Sequence, residues 1–369
     1  MALRVIISGG GTGGHIFPAI SIANAVKELQ PNAEILFVGA LGRMEMQRVP
    51  DAGYEIKGLP VMGFDRKNLL KNIIVLYKLY KSQCKAKKII REFQPHVAVG
   101  VGGYASGPTL NKAAAAGVPC LIQEQNSYAG VTNKLLAKKV AKICVAYNNM
   151  ERFFPSEKII KTGNPVRQSL LQTTITSEEA KAQIFGSENS HKKTILFVGG
   201  SLGAGTINES ILSHLDIIKQ SDVQIIWQTG KYYHASIMES LKGHDIPNLH
   251  VTDFVADMGT AYKAADLVVS RAGASSISEF CLLGKPVILV PSPNVAEDHQ
   301  TKNAMALANE DAALYVKDSE AKDTLLQLAV ETVADDAKLA NLNKNILKLA
   351  LPDSARIIAE EVIKLANAK

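Results

Sequence analysis

The chain has few of the residues that mark secreted, metal-binding or membrane-spanning proteins. Its four cysteines stand far apart in 369 residues, and none forms a Cys-x-x-Cys pair. This spacing excludes the common zinc and redox motifs and indicates reduced thiols. No apolar run reaches the ~18–20 residues of a membrane-spanning helix, and the first residues lack a signal-peptide profile. We therefore expect a cytoplasmic protein.

No Asp-x-Asp motif occurs in the chain. This argues against a nucleotide-sugar site that is clamped by a metal, so we expect chemistry without a metal or cofactor. The net charge is +6, but residues 1–163 carry 22 Lys and Arg against 10 Asp and Glu, whereas residues 164–369 carry 19 against 25. Only the first half is expected to attract anions.

Short apolar runs alternate with helical patterns along the whole chain, which favours parallel sheets covered by helices on both faces. The predicted strands cover residues 5–8, 35–38, 97–100, 120–123, 158–161, 194–198, 223–227, 267–270, 287–290 and 314–316. Gly163 and the pair Asn164-Pro165 break this pattern. The sequence therefore predicts two doubly wound α/β domains, 1–163 and 164–352. A last helix within 353–369 is expected to join the first domain by packing across the seam.

Two predicted strands run directly into glycine-rich turns that open helices, at residues 9–14 and 199–203. Such a turn leaves backbone N–H groups at the positive end of a helix, where a diphosphate can bind. His15 lies at the mouth of the first helix, and Pro18 is expected in its first turn. The helix terminus opposes the protonated imidazole, which makes His15 a candidate general base. Capping or packing is the structural alternative.

A third helix opening follows the predicted strand 267–270. Arg271 and a run of small residues start this helix, and Arg271 is expected to face the charge of a leaving diphosphate. The carboxylate of Glu279 either holds ribose hydroxyls or, as a first-turn acid, complements the helix dipole. The long polar loop over residues 291–300 follows the next strand, at the edge where such folds bind ligands.

Three other interpretations of the glycine turns remain open. Residues 9–14 match the dinucleotide fingerprint G-x-G-x-x-G, but the second strand ends without the acid that holds a ribose. Residues 199–203 match the nucleophile elbow of serine hydrolases, with Ser201, Asp266 and His299 in the required order. The hydrolase interpretation gives the first glycine turn no purpose. In the third, the glycines only permit tight turns.

Residues 66–91 combine nine Lys and Arg with an apolar face and contain no acid. This pattern predicts a helix that binds an anionic membrane surface, whereas packing on its own sheet is the alternative. The residues expected at this surface are Lys71, Ile74, Leu76, Tyr77, Lys78 and Lys81. Nucleic-acid binding is disfavoured because the basic residues lie among aliphatic ones. Gly102, Gly103 and Tyr104 follow another strand of this half, where they are expected to hold the diphosphate of an acceptor.

Seven motifs in order carry a resemblance that covers essentially the whole chain. They are Gly-Gly-Gly-Thr-Gly-Gly-His at 9–15, Gly-Gly-Tyr-Ala-Ser at 102–106, Gln-Glu-Gln-Asn at 123–126, Gly-Asn-Pro-Val-Arg at 163–167, Gly-Gly-Ser-x-Gly-Ala at 199–204, Arg-x-Gly-Ala at 271–274 and Asp-His-Gln at 298–300. Together they resemble the MurG family of bacterial glycosyltransferases. The resemblance implies a GT-B fold, with two Rossmann-like domains and an active site in the cleft between them.

The resemblance also implies a reaction. Family members move N-acetylglucosamine from UDP-GlcNAc to the 4-hydroxyl of MurNAc in the undecaprenyl-diphosphate-linked muramyl pentapeptide (lipid I), with inversion, which gives lipid II for peptidoglycan. They are peripheral proteins of the cytoplasmic face of the plasma membrane. A related glycolipid synthase of the same fold is the nearest alternative.

By similarity, the main chain of Val255 is expected to read uracil. His15 is the expected base, and Glu124 is the second candidate, as base or as orienter of the acceptor. The residues expected to contact UDP-GlcNAc are Thr12, Gly13, Gly14, Asn126, Arg167, Ser201, Val255, Arg271, Ala274, Ser275, Ser276, Ile277, Ser278, Glu279 and Gln300.

Overall fold

The computed structural model describes residues 2–63, 71–166, 170, 172–200 and 202–368. They fall into two units, residues 1–166 with 351–369 and residues 167–350. The chain leaves the first unit after Val166, close to the boundary predicted at residue 163, and returns to it at Leu351. Among the described residues, no helix has both the length and the apolar composition needed to cross a membrane.

The first unit is built on a parallel sheet of seven strands in the order β3-β2-β1-β4-β5-β6-β7. The strands are β1 (Arg4–Ser8), β2 (Glu34–Ala40), β3 (Glu55–Leu59), β4 (Val97–Gly100), β5 (Cys120–Glu124), β6 (Lys142–Val145) and β7 (Ile159–Lys161). The direction of winding reverses between β1 and β4. Such a switch point opens a crevice at the carboxyl ends of the two strands, where doubly wound folds bind ligands.

The second unit has a parallel sheet of six strands in the order β10-β9-β8-β11-β12-β13. The strands are β8 (Thr194–Val198), β9 (Gln224–Gln228), β10 (Leu249–Thr252), β11 (Leu267–Ser270), β12 (Val287–Leu289) and β13 (Leu314–Tyr315). Its switch point lies between β8 and β11, so each unit offers one ligand crevice of its own.

Helices cover both faces of each sheet. They are α1 (Gly13–Leu29), α2 (Glu45–Asp51), α3 (Lys71–Phe93), α4 (Ser106–Ala115), α5 (Val131–Leu136), α6 (Ser177–Phe185), α7 (Gly205–Leu212), α8 (Leu215–Gln220), α9 (His234–Ser240), α10 (Met258–Ala264), α11 (Ala274–Leu283), α12 (His299–Ala308), α13 (Asp318–Ala334), α14 (Asp336–Leu347) and α15 (Ser354–Asn367). The first twelve lie between strands, α13 and α14 follow the last strand, and α15 returns to the first unit.

Successive residues of β1 pack into two different cores. Val5 and Ile7 pack with residues of α1 and α15, whereas Ile6 packs with residues of α3 and α4 on the other face. A strand buried on both faces needs an unbroken apolar run, which is what the sequence shows. Ile358 and Val362 of α15 complete the core of the first unit, where this helix packs on α1. Its packing across the seam stays a prediction.

The structure differs from the sequence predictions at four elements. Strands β3, β6 and β10 were not predicted. Strands β3 and β10 lie at sheet edges and are half-exposed, so they lack a continuous apolar run. The short strand β6 carries a lysine at its start. Pro18 does not stand in the first turn of α1, because that helix begins at Gly13 and includes Pro18 as its sixth residue.

Candidate active site

The switch point of the first unit brings two glycine turns into contact. Gly10 and Gly11 have positive φ angles, 143° and 91°, and lead from β1 into α1. Gly103, after β4, has a φ of 81°, and a Cβ atom at this position would overlap with the Gly10 carbonyl oxygen. Glycine is therefore needed at 103 both for the backbone conformation and for the close approach. The turn at residues 9–14 and the turn at Gly102 and Gly103 therefore form one surface.

A buried carboxylate that the sequence analysis missed holds the first turn in place. Glu45 is 1% exposed, and its two oxygens accept hydrogen bonds from the backbone N–H groups of Gly11 and Ala40, each at 2.9 Å. A Cβ atom on Gly10 would overlap with the Glu45 carboxylate. The N–H of Gly11 is thus occupied by the protein itself, and the outward N–H groups of this turn are those at the start of α1.

His15 lies where these two turns meet. It is the third residue of α1 and half-buried, and its Nδ1 is 3.2 Å from the hydroxyl oxygen of Thr12. A Cβ atom on Gly102 would lie 2.8 Å from His15 Cδ2 and Nε2, so the imidazole packs directly over the second turn. When Nδ1 carries the proton and donates to Thr12, Nε2 is the nitrogen that accepts a proton. Thr12, Gly13 and Gly14 form the N-terminus of α1 around this ring.

Glu124 has a different environment from a typical base. Its side chain is 1% exposed, and Oε1 accepts from the backbone and side-chain nitrogens of Asn126 at 3.1 and 3.3 Å. Oε2 accepts from Gly130 N at 3.0 Å and from Asn133 Nδ2 at 2.9 Å. Four N–H donors therefore contact the two carboxylate oxygens. The contacts favour a positioning role, in which Glu124 orients Asn126.

The surface beside Tyr104 is apolar and exposed. Tyr104 is 58% exposed, and a cavity of about 430 Å³ next to it is lined by side chains of α3, α4 and α5. The first half of α3 exposes Ile74, Leu76 and Tyr77, whereas Ala86, Ile89 and Ile90 in its second half pack into the core. Lys78 contacts Met62 at 3.6 Å and Lys81 lies over the Tyr77 ring at 4.7 Å. The helix therefore both packs on its sheet and exposes a basic, apolar face.

At the switch point of the second unit, Gln228 joins the glycine turn to Val255. Its Nε2 donates to the carbonyl of Gly200 at 2.9 Å, and its Oε1 accepts from the backbone N–H of Val255 at 3.1 Å. Because the N–H of Val255 donates to Gln228, the carbonyl of Val255 is the main-chain group that remains for contact with a uracil ring. Gln228 lies at the end of β9 and belongs to no motif, so its sequence carries no signal of this role.

Helix α11 begins beside this turn, as predicted, with Gly273 as its N-cap. The buried hydroxyl of Ser275 has no hydrogen-bond partner among the described residues. Ser278 donates to the carbonyl of Ala274 at 3.0 Å, and Ser276 is half-buried. Ile277 is 2% exposed and its N–H donates to the carbonyl of Gly273, so its side chain lies in the interior rather than at a ligand surface.

Glu279 is the sixth residue of α11 and is not in its first turn. The alternative that it is a first-turn acid complementing the helix dipole is therefore wrong. The carboxylate is buried, and its Oε2 accepts from the Tyr262 hydroxyl at 3.0 Å. The Tyr262 hydroxyl therefore helps to fix the position of this carboxylate.

Arg271 is used inside the second unit. Its guanidinium forms an ion pair with Asp318 and donates to the carbonyls of Val290 and Pro291 at 3.0 and 3.2 Å. The prediction that this arginine faces a diphosphate finds no support in these contacts, which instead connect the ends of β11 and β12 to the start of α13. Gln300 likewise forms a contact within its own unit: its Oε1 accepts a hydrogen bond from Ser292 N in the loop at residues 291–300, at 2.9 Å.

The serine-hydrolase alternative does not fit the geometry of the sheet. Asp266 precedes β11, whereas the turn at 199–203 follows β8, and the two strands are parallel neighbours. Opposite ends of a four-residue strand are about 13 Å apart at ~3.3 Å per residue. Asp266 instead holds Lys181 and the N–H of Thr194, both at 2.8 Å. It therefore lies at the wrong edge to orient a triad histidine.

The structure does not describe the side chains of three residues that the sequence predicts at the sites. Arg167 and Ser201 lie outside the described residues, as does the side chain of Lys71. In the parts of the chain that the structure describes, no three His, Cys, Asp or Glu side chains come together as a metal site. The independence from metals and cofactors stays a prediction.

The sequence matches two domain families in succession. Residues 5–145 match the glycosyltransferase family 28 N-terminal domain, and residues 194–357 match the C-terminal domain. A protein of Bacteroides fragilis named UDP-N-acetylglucosamine–N-acetylmuramyl-(pentapeptide) pyrophosphoryl-undecaprenol N-acetylglucosamine transferase is 69% identical over 368 residues, 99% of this chain and 96% of that protein. The chain belongs to glycosyltransferase family 28. A protein of Porphyromonas gingivalis with the same name is 55% identical over 99% of this chain and 96% of its own length.

Solved structures agree with this family. Acinetobacter baumannii MurG has a TM-score of 0.79 and 27% identity, and the alignment covers 98% of this chain and 99% of that one. The calicheamicin glycosyltransferase CalG4, at 14% identity, shares the fold with a TM-score of 0.73 over 99% and 98% of the two chains. The two parallel-sheet units are those of a GT-B glycosyltransferase, which confirms the predicted fold class.

Proposed function

We propose that this family 28 enzyme transfers N-acetylglucosamine from UDP-GlcNAc to the 4-hydroxyl of MurNAc in lipid I, which gives lipid II for peptidoglycan. The observation that carries this function is the 69% identity, over nearly the whole of both chains, to a transferase whose name states these substrates. Both units are covered, so the donor and the acceptor functions of the relatives have their counterparts here.

The donor site is assigned to the switch point of the second unit. The N-terminus of α11 offers positive potential to a diphosphate, and the unpartnered Ser275 hydroxyl adds a donor there. The carbonyl of Val255, held by Gln228, is placed to accept a hydrogen bond from a uracil N–H. Glu279, whose position Tyr262 helps to fix, is the acceptor for the ribose hydroxyls in this assignment. These contacts recognise a uridine diphosphate through groups that are fixed before the ligand binds.

The acceptor site is assigned to the paired glycine turns of the first unit. In an inverting displacement, the acceptor oxygen bonds to the anomeric carbon as the bond from that carbon to the UDP oxygen breaks, and the hydroxyl proton must go to a base. His15 Nε2 receives this proton when Thr12 holds the Nδ1 proton. Glu124 keeps Asn126 in place, which makes it a positioning residue rather than the base. The turn at Gly102 and Gly103 lies beside the imidazole and suits the diphosphate of the lipid.

The basic, apolar face of α3 suits a lipid-linked acceptor. Ile74, Leu76 and Tyr77 are each more than half exposed, and Lys78 and Lys81 stand among them. Such a surface inserts apolar groups at the headgroup boundary while its lysines attract anionic lipid. We infer a peripheral enzyme on the cytoplasmic face of the plasma membrane, and no nucleic-acid partner.

The test combines product analysis with one variant. The full-length protein is incubated with UDP-GlcNAc and a short-chain lipid I analogue, with and without EDTA, while UDP release and the disaccharide product are measured by mass spectrometry. We expect equal product in both conditions. His15→Ala should lower kcat at least ~100-fold, the usual contribution of a general base, while calorimetry shows unchanged UDP-GlcNAc binding.

His191→Ala is the matched control, because His191 is an exposed histidine of the second unit. It should leave both measurements unchanged. Absence of product from folded protein and competent substrates would contradict the function. Full activity of His15→Ala would leave the function standing but remove His15 from the chemistry.

A further inference from the structure

A polar cavity of about 400 Å³ opens on the second unit, at the edge of the sheet where the strands begin. Among its lining residues, Lys193 directly precedes β8, Asp266 precedes β11, and Lys285 stands just before β12. Because the strands are parallel, this edge is opposite to the one that carries the glycine turn and the start of α11. The cavity is therefore separate from the proposed donor site.

The acids that line this cavity already have cationic partners. Asp266 Oδ2 accepts from Lys181 Nζ at 2.8 Å and from Thr194 N at 2.8 Å. Asp336 forms an ion pair with Lys193 at 2.5 Å. Each of these carboxylates therefore has an ion-pair partner within the second unit.

Two further lysines line the cavity without such a partner. Neither Lys263 nor Lys285 forms an ion pair with a residue that the structure describes, and Lys285 Nζ donates to the carbonyl of Ala265 at 2.8 Å. Burial lowers the pKa of Lys285 to about 8, the Asp266 charge opposes this shift, and the charges of Lys263 and Lys181 add to it. Positive charge in this cavity thus exceeds the negative charge that the protein supplies.

Two helices begin at this cavity. Ser177 is the first residue of α6 and Asp336 is the first residue of α14, and both line the cavity. The partial positive charge of each terminus is complemented by acids of the helix itself, Glu178 and Glu179 in α6 and Asp335 and Asp336 in α14. The charge that suits an oxyanion in this cavity therefore comes from the two lysines without an ion-pair partner.

We propose that this cavity is a binding site for a phosphate group, carried by free phosphate, diphosphate or a phosphomonoester, with Lys263 and Lys285 as its cationic contacts. The anion supplies the counter-charge that the protein lacks there and favours the protonated form of Lys285. Because the site faces away from the glycine turn, a nucleotide in the donor site does not compete with it.

The test is calorimetric titration of the full-length protein with inorganic phosphate, pyrophosphate and glycerol phosphate at constant ionic strength. Each probe is titrated with and without saturating UDP. We expect saturable binding of at least one probe in both conditions. Lys263→Met and Lys285→Met should weaken it at least tenfold, whereas Lys322→Met, at an exposed lysine of α13, should not. The probe that binds tightest distinguishes a free anion from a phosphomonoester.

A second readout separates direct contact from a folding defect. Near pH 8, binding to the wild type should take up protons, visible as a dependence of the binding heat on the ionisation enthalpy of the buffer. This dependence should disappear in Lys285→Met, whose Trp227 fluorescence should remain native. Absence of binding at millimolar probe, wild-type affinity in both cavity variants, or displacement by UDP would each overturn the proposal. Displacement by UDP would assign the anion to the glycine turn.

Discussion

Replacing Glu45 by glutamine tests whether a buried carboxylate shapes the acceptor turn. In the native protein, two neutral N–H groups, of Gly11 and Ala40, donate to the two oxygens at 2.9 Å. A glutamine of the same size accepts from only one of them and turns its own NH₂ group toward the other. One buried N–H then lacks an acceptor, which costs about 1–3 kcal/mol. Relief of the buried charge offsets part of this, so we expect a loss of about 2 kcal/mol.

The unfolding of the two units can be followed separately in urea. The single tryptophan, Trp227, is fully buried in the second unit, so its fluorescence reports the unfolding of that unit. Glu45→Gln should leave the fluorescence transition in urea unchanged but shift the part of the circular dichroism transition that arises from the first unit. Glu55→Gln is the control, because Glu55 is 69% exposed and its pairing with Lys57 is loose at 3.9 Å. It should change stability by no more than ~0.5 kcal/mol.

Hydrogen exchange gives a more local readout. Peptides that contain Gly11 and Ala40 should exchange faster in Glu45→Gln, while peptides from β5 should not change. A double-mutant cycle isolates the contact with Gly10, since Gly10→Ala overlaps with the carboxylate only when Glu45 is present. We expect a coupling energy of at least ~0.5 kcal/mol between Gly10→Ala and Glu45→Ala. Unchanged exchange together with zero coupling would refute the claim that Glu45 holds this turn.

Three further predictions concern the first unit and the thiols. The double variant Lys78→Gln, Lys81→Gln should bind anionic vesicles ~30-fold more weakly, from about 1 kcal/mol per near-surface cation, with neutral vesicles as control; equal binding would contradict the membrane surface. Gly103→Ala should lose more stability in urea than Gly117→Ala, because both have positive φ but only the first overlaps with a carbonyl; equal losses would discount the close approach. Iodoacetamide at pH 8 should label only the exposed Cys84, and mass spectrometry of the labelled protein measures this. Burial raises the pKa of the other three thiols, Cys120, Cys144 and Cys281, to about 12. Labelling of a second cysteine in folded protein would contradict the prediction.

The sequence contains enough information to locate the central strands and the turns that follow them. Strands β1, β4, β5, β8 and β11 are buried on both faces, so each appears as an unbroken apolar run that ends near glycine or small residues. Edge strands are different. Strand β3 alternates charged and apolar residues because only part of it is covered. Its pattern over five residues does not distinguish a strand from a loop.

The partners of the site residues could not be predicted in the same way. Glu45 is 34 positions from Gly11, Gln228 is 27 from Val255, and Asp318 is 47 from Arg271. None of these pairs follows a helical or strand period, so only the folded chain brings them together. Arg271 shows the consequence: its place beside α11 suggested a ligand contact, but a carboxylate from a distant helix binds it.

The two glycine turns look alike in sequence but have different electrostatic roles. In the first, the N–H of Gly11 is bound to the Glu45 carboxylate, which places a buried negative charge behind the turn. In the second, the neutral amide of Gln228 binds the Gly200 carbonyl and adds no charge. In the first turn, the N–H of Gly11 is therefore not available to a donor phosphate. This difference favours the donor diphosphate at the second turn, although the first half of the chain has the larger excess of basic residues.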